Sequence, residues 1–188
     1  RSDLTEEERS EFLRVAMRQS RRIGFLVEQL LEAAKLDAGQ VAVNAEPFAI
    51  GDLLQDVVQK FALAAQDRGV RIEADIGSAA TMVHGDIALL ERVLDNLLDN
   101  ALRHTPAGGR VEVSAQPSVG SVRVAVTDTG PGLSVEQAER AFDRFYRGDP
   151  GRSSASGQTG LGLAIVKSIL ELHGTKVVVR SEPGHGAS

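Results

Sequence analysis

The segment Arg92-Val93-Leu94-Asp95-Asn96-Leu97-Leu98-Asp99-Asn100-Ala101-Leu102-Arg103-His104-Thr105-Pro106 decides how the rest of the chain is read. Leu90, Val93, Leu94, Leu97, Leu98 and Ala101 recur at steps of three and four, which predicts a helix with one buried face. Asn96 and Asn100 are four residues apart and project from the same side of that helix. Asparagine suits a helix interior poorly, because its side chain competes for backbone hydrogen bonds. Two of them one turn apart, beside a leucine-rich face, point to a ligand; the alternative is a solvated polar face. An amide oxygen is a hard, neutral donor, suited to Mg²⁺ that already carries phosphate oxygens and waters, where a further carboxylate would repel the phosphates.

Working outward, Asp86 is predicted to cap this helix, and a polar loop at 104–109 to end it. Thr5 with Glu8 makes a capping box that starts a long helix running to about Leu36, with Gly39 as its terminator. Phe12, Ala16, Gln19, Ile23, Leu26, Leu30 and Ala33 form a heptad seam, widened by Val27 and Leu31 towards the face of a helical bundle. Such a stripe needs a cover: another helix, a second copy of the chain, or the helix's own domain. A strand broken by Pro47 is expected over 41–48, then a helix capped by Asp52 and Gln55 over 52–68. Alternation predicts strands at 70–76 and 81–83, and a hairpin whose strands carry Val111, Val113 and Ala115, then Val122, Val124 and Val126. A short helix capped by Ser134 and Gln137, a polar Gly/Ser-rich loop at 148–159, a helix over 161–172 and a strand over 176–180 complete the pattern. Helices and antiparallel strands mix irregularly, which favours an α+β class over a doubly wound sheet.

Bulk properties narrow the function. With 188 residues, 42% hydrophobic and 25% charged, the chain reads as an ordinary soluble globular protein with room for one core and a helical extension. A net charge of −5 argues against a nucleic-acid partner, which needs a basic face to displace counterions. There is no cysteine, hence no disulfide or thiolate metal site. No apolar run reaches the roughly 20 residues of a membrane span, and no signal peptide is evident.

Two further motifs could carry chemistry. Asp128 sits where a strand meets the turn Asp128-Thr129-Gly130-Pro131-Gly132. A carboxylate there can accept from the exocyclic amine of adenine, and Gly130 and Gly132 let backbone approach a flat ring; an ordinary Asp-x-Gly turn is the alternative. Gly157-Gln158-Thr159-Gly160-Leu161-Gly162-Leu163 leads directly into a helix, whose first N–H groups attract anions. It is neither the dinucleotide fingerprint nor a P-loop, and a flexible hinge is the lesser alternative. Arg140, Arg144, Arg147 and Arg152 crowd the preceding segment, fitting a polyphosphate or a solvated surface paired with Asp143 and Asp149.

The order of these motifs resembles the N, G1, F and G2 boxes of sensor histidine kinases of two-component systems: an Asn-x-x-x-Asn helix, strand–Asp-x-Gly-x-Gly, Phe142-x-x-Phe145, then Gly-x-Gly-Leu before a helix. Ser181-Glu182-Pro183-Gly184-His185-Gly186 is similar to the family's last glycine turn. The resemblance implies a two-layer α/β sandwich, a mixed sheet covered by helices on one face, for a catalytic ATP-binding domain at 41–188. It makes residues 1–38 the second helix of a dimerisation and histidine-phosphotransfer domain, part of a dimeric helical bundle. It implies ATP and Mg²⁺, with Asn100 as metal ligand and Asn96 beside it at the phosphates. Arg103 and His104 would face phosphate and ribose or adenine, and Asp128, with Gly130 and Gly132, the adenine. Thr159, Gly160, Leu161, Gly162 and Leu163 would meet the phosphates. The segment 142–159 would be the ATP lid, with Arg147 as a phosphate contact.

The family's phosphoacceptor histidine lies in a helix expected to precede residue 1, and His84, His104, His173 and His185 lack its flanking pattern. The chain is therefore expected to be part of a longer kinase and not to autophosphorylate alone. A homodimer through the bundle, a response-regulator receiver domain as partner, and a location at the cytoplasmic face of the bacterial inner membrane, through segments outside this sequence, follow from the same resemblance. The related gyrase-type and chaperone-type ATPases place a glutamate base where Asn96 stands. That residue and the heptad helix speak against such an ATPase or an anti-sigma serine kinase, and the intact boxes against a non-catalytic module.

Overall fold

Thr5 opens the first helix as its capping box requires: its hydroxyl accepts from the Glu8 N–H, and the Glu8 carboxylate accepts from the Thr5 N–H, holding the start of α1 (Glu6–Asp37). The structure, a computed structural model, describes residues 5–77, 81–146 and 159–188. The elements that follow are β1 (Glu46–Ala49), α2 (Ile50–Asp67), β2 (Arg71–Asp75), β3 (Met82–Gly85) and α3 (Ile87–His104). They are succeeded by β4 (Arg110–Ser118), β5 (Ser121–Asp128), α4 (Val135–Arg140) and α5 (Gly162–Leu172).

The strands form two sheets. β2 pairs parallel with β4, and β4 antiparallel with β5, giving a mixed sheet in the order β2-β4-β5. β1 and β3 form a separate antiparallel pair. Val111, Val113 and Ala115 of β4 face one side, where Leu53, Leu54 and Val57 of α2 and Leu94, Leu98 and Leu102 of α3 bury them. This is the expected α+β arrangement, with helices against the apolar face of a mixed sheet. A second core lies on the far side of α3, where Val93 packs with Leu161, Ile165, Val166 and Ile169, and with Ala33 and Leu36 of α1. α3 thus buries residues into two cores at once.

Several boundaries differ from the sequence reading. α2 begins at Ile50 rather than after Asp52: Ala49 is its cap position, without a side-chain bond, and the Ile50 N–H donates to the Thr81 carbonyl (3.1 Å). A tertiary partner satisfies the helix start, leaving Asp52 in the first turn, where its charge still complements the helix dipole. The strand expected over 41–48 is confined to Glu46–Ala49; the Asn44 N–H turns instead to the Asp86 carboxylate (2.9 Å). The stretch 176–180 is not a strand. Val178 is exposed, and Arg180 exchanges two backbone hydrogen bonds with Ser188 rather than joining the sheet.

The start of α3 is tied down. Asp86 caps it by accepting from the Leu89 N–H (3.1 Å), while the Asp86 N–H donates to His173 Nε2 (3.0 Å). His173 Nδ1 lies 2.9 Å from the Ile169 carbonyl, so the neutral ring with its proton on Nδ1 satisfies both contacts. The bonds to Leu89 and Asn44 hold the Asp86 carboxyl below its ordinary pKa. His173 thereby staples the end of α5 to the start of α3.

The double burial of α3 makes a specific demand on its leucines. Leu98→Ala, at a fully buried position, is expected to cost about 2–5 kcal/mol in urea unfolding. Leu63→Ala on exposed α2 surface should stay within about 0.5 kcal/mol. Equal effects would mean that α3 is not packed as described.

Candidate functional site

The expected site residues converge around the exposed edge of α3. Asn96 is half-buried; its Nδ2 donates to the Arg92 carbonyl one turn back (2.8 Å), which turns Oδ1 outward. That oxygen meets the start of α5: a Cβ built on Gly162 would lie 2.8 Å from it. Asn96 and the glycine turn are therefore apposed, although 66 residues separate Asn96 from Gly162. Asn100 lies one turn further along α3, also half-buried.

Register places the carboxylate. Asp128 pairs with Val111, whose side chain is in the core, so Asp128 points to the helix-covered face of the sheet at its rim. Its Oδ1 accepts from the Gly130 N–H (2.7 Å), and its own N–H donates to the Ala187 carbonyl (2.8 Å). Burial raises the Asp128 carboxyl above its ordinary pKa, against the opposing pull of the Gly130 and Ala187 backbone and of His104. The surrounding protein pushes the His104 imidazole below its ordinary pKa, and the Arg103 charge adds to this; Asp128 and Asp99 pull the other way. Arg103 pairs with Asp99 one turn back on α3.

Gly132, at φ +69°, packs against the Glu182 carbonyl, which a Cβ would strike, so the protein's own backbone also requires glycine there. Gly130 lies next to the His104 carbonyl and Asp128.

At the other side of the site, Gly160, Leu161, Gly162 and Leu163 form the entry to α5, with Leu161 buried at its cap position. Phe145 donates its N–H to the Gly160 carbonyl (2.8 Å). Phe145 is exposed and has φ +60°, a left-handed conformation costly for an aromatic residue. Thr159 caps the turn, its hydroxyl accepting from the Leu161 N–H (3.0 Å). Arg147, Arg152, Gly157, Gln158 and most of the segment expected to be a lid lie outside the described residues. Arg140 lies near Asp143 (3.6 Å) and stacks over Tyr146, and Arg144 pairs with Asp37; both match the solvated-surface alternative.

The sequence reading missed a contact from α1. Gln29 is buried and lies 3.1 Å from the Thr159 hydroxyl. Its signal was present: Leu26, Gln29, Ala33 and Leu36 follow steps of three, four and three, but the glutamine interrupts the apolar pattern. Among the described residues, no cluster of three His, Cys, Asp or Glu side chains could hold a metal.

Comparison with known proteins converges on one family. Residues 85–188 match the family model described as histidine kinase-, DNA gyrase B-, and HSP90-like ATPase. The sensor protein DivL of Caulobacter vibrioides is 39% identical over 162 residues, which cover 86% of this chain and 20% of DivL. The sensor-like histidine kinase SenX3 of Mycobacterium tuberculosis is 34% identical over 170 residues, 90% of this chain and 41% of SenX3. The chain therefore spans between about a fifth and two fifths of these relatives. Full-length ShkA, solved in complex with AMPPNP, superposes with a TM-score of 0.83 at 32% identity, over 99% of this chain and 38% of ShkA.

The raised Asp128 pKa has a definite sign. Folding binds a proton more tightly than the unfolded chain does, so ionisation costs stability as pH rises through the carboxylate range. Asp128→Asn keeps an oxygen for the Gly130 N–H and removes that cost. Its melting temperature relative to the native chain should climb between about pH 3 and about pH 6 and then level off. A difference that falls over that range would show the carboxylate to be net stabilised when charged.

Proposed function

The chain belongs to the histidine kinase-, DNA gyrase B- and HSP90-like ATPase family, and from that premise we propose that it is the ATP-binding catalytic part of a sensor histidine kinase. The observation that carries this is the apposition of Asn96 Oδ1 to the glycine entry of α5, with Asp128 at the rim of the same helix-covered face. When bound, ATP would supply the phosphoryl group and Mg²⁺ would supply positive charge against the charge developing in transfer. Asn100 would hold the metal through its amide oxygen, with Asn96 beside it at the phosphates. Gly160, Gly162 and Leu163 would present the N–H groups of the helix entry to phosphate oxygens, on a turn that Thr159 and Leu161 shape through their own hydrogen bond. Asp128 would accept from the exocyclic amine of adenine, beside Gly130 and Gly132. Arg103 and His104 would border ribose and phosphate, and Arg147 would be a further phosphate contact.

Asn96 bears on the kind of reaction. Its amide already donates to Arg92, and the remaining oxygen cannot take a proton from water as a carboxylate base would. This favours transfer to a protein acceptor over hydrolysis. The acceptor would be a histidine of the parent kinase; His173 is unsuited to the role, because both its ring nitrogens are engaged in the fold. From there the phosphoryl group would pass to a response-regulator aspartate.

Residues 1–38 would then be the second helix of the dimerisation and phosphotransfer domain, and 41–188 the catalytic domain. Phe12, Leu13, Met17, Ile23, Leu30 and Leu31 of α1 are exposed, an apolar stripe that supports burial in a dimeric bundle. Among the described residues no helix is long and apolar enough to cross a membrane. Attachment to the cytoplasmic face of the bacterial inner membrane would rest on segments outside 1–188.

ATP with Mg²⁺ at a hundredfold over its Kd should stabilise the chain by about 2.7 kcal/mol. Asn100→Ala should lose the Mg²⁺-dependent part of that gain while keeping its melting temperature without nucleotide. Asp128→Ala should lose the preference for ATP over GTP. A native chain that gains nothing from ATP would refute the reading; mutants that respond as the native chain does would refute the residue roles.

A further inference from the structure

The last turns of α1 reach the site through three polar contacts. Glu32 pairs with Arg92 of α3 through two bonds (3.2 and 2.9 Å), and Asp37 pairs with Arg144. Both are partly exposed ion pairs, and such pairs contribute little. Gln29 differs from them. It is only 3% exposed and occupies a place in the stripe Leu26, Ala33, Leu36 that an apolar side chain would fill. A buried amide costs free energy unless it is hydrogen-bonded, so its partner matters.

That partner is the Thr159 hydroxyl, 3.1 Å from Gln29 Oε1. A hydroxyl carries one proton. Given to Gln29, it leaves the oxygen lone pairs facing the Leu161 N–H, which donates to Thr159 at 3.0 Å. The two bonds run in series from α1 to the backbone of the turn that enters α5. The same turn holds Gly160 at φ +69° and brings Gly162 against Asn96.

We propose that Gln29 is a positioning residue for the nucleotide turn: acting through the Thr159 hydroxyl, it holds 159–162 in the shape that faces Asn96, so docking of α1 raises nucleotide affinity. This rests on the reading of the site as an ATP site. By linkage, bound nucleotide strengthens the docking of α1 by the same factor.

A double-mutant cycle on the full 188-residue chain tests it, with the Kd for ATP and Mg²⁺ measured by calorimetry. Gln29→Leu keeps the volume and removes the bond, and should weaken ATP about fivefold, the share of one hydrogen bond. Gln29→Met, also unbranched at Cβ, repeats the measurement should the leucine disturb folding. In a Thr159→Val background, Gln29→Leu should change the Kd no further, because the link is already cut. Unchanged affinity in Gln29→Leu and Gln29→Met, with native binding intact, would overturn the positioning role and leave the ATP site standing. A full fivefold loss persisting in the Thr159→Val background would overturn it too, since Gln29 would then act by packing alone. A native chain that binds no ATP would overturn the site itself.

Discussion

One helix is held between two cores, and the site follows from that constraint. Leu94, Leu98 and Leu102 of α3 are buried against α2 and β4, while Val93 is buried against α5 and the end of α1. A helix wedged on both sides cannot rotate without exposing one set, so the narrow strip left over has a fixed direction. Asn96 and Asn100 occupy that strip. Their placement comes from the burial of their neighbours, while the Asn96 amide donates within its own helix, to the Arg92 carbonyl.

The glycine turn is fixed by the same packing. Leu161, Ile165 and Ile169 bury the inner face of α5 against α3, and Gly162 takes the closest point of that contact. His173 closes the far end by joining the Ile169 carbonyl to the Asp86 N–H. Thus α5 meets α3 at both of its own ends, Gly162 at Asn96 in the middle of α3 and His173 at the α3 cap. Asp128 is set by sheet register instead, opposite a core valine, at a place where the protein makes its charge costly.

Much of this was legible in the residues. The three-and-four spacing around Leu94, Leu97 and Leu98 carried the α3 face, and Thr5–Glu8 and Ser134–Gln137 carried their caps, because local periodicity and local hydrogen bonds decide those features. What was not legible depends on distant partners. The start of α2 is satisfied by Thr81, 31 residues from Ile50, so Asp52 was not needed as a cap. The alternation at 176–180 reads as a strand, yet that segment turns back to Ser188 and leaves Val178 exposed. The contact of Gly132 with the Glu182 carbonyl, 50 residues on, also had no local signal. Gln29 was overlooked because a lone polar residue in an apolar stripe looks like an interruption until its partner is known.

The account turns on whether the α3 strip, the glycine turn and the Asp128 rim form one site. Amide NMR of the ¹⁵N-labelled chain, titrated with AMPPNP and Mg²⁺, addresses this directly. The prediction is a single saturable set of shifts covering the Asn96 and Asn100 side-chain amides and the backbone amides of Gly130, Gly160 and Gly162, with β2 and the N-terminal half of α1 unmoved. Saturation that shifts only one of the three regions, or none of them, would contradict it.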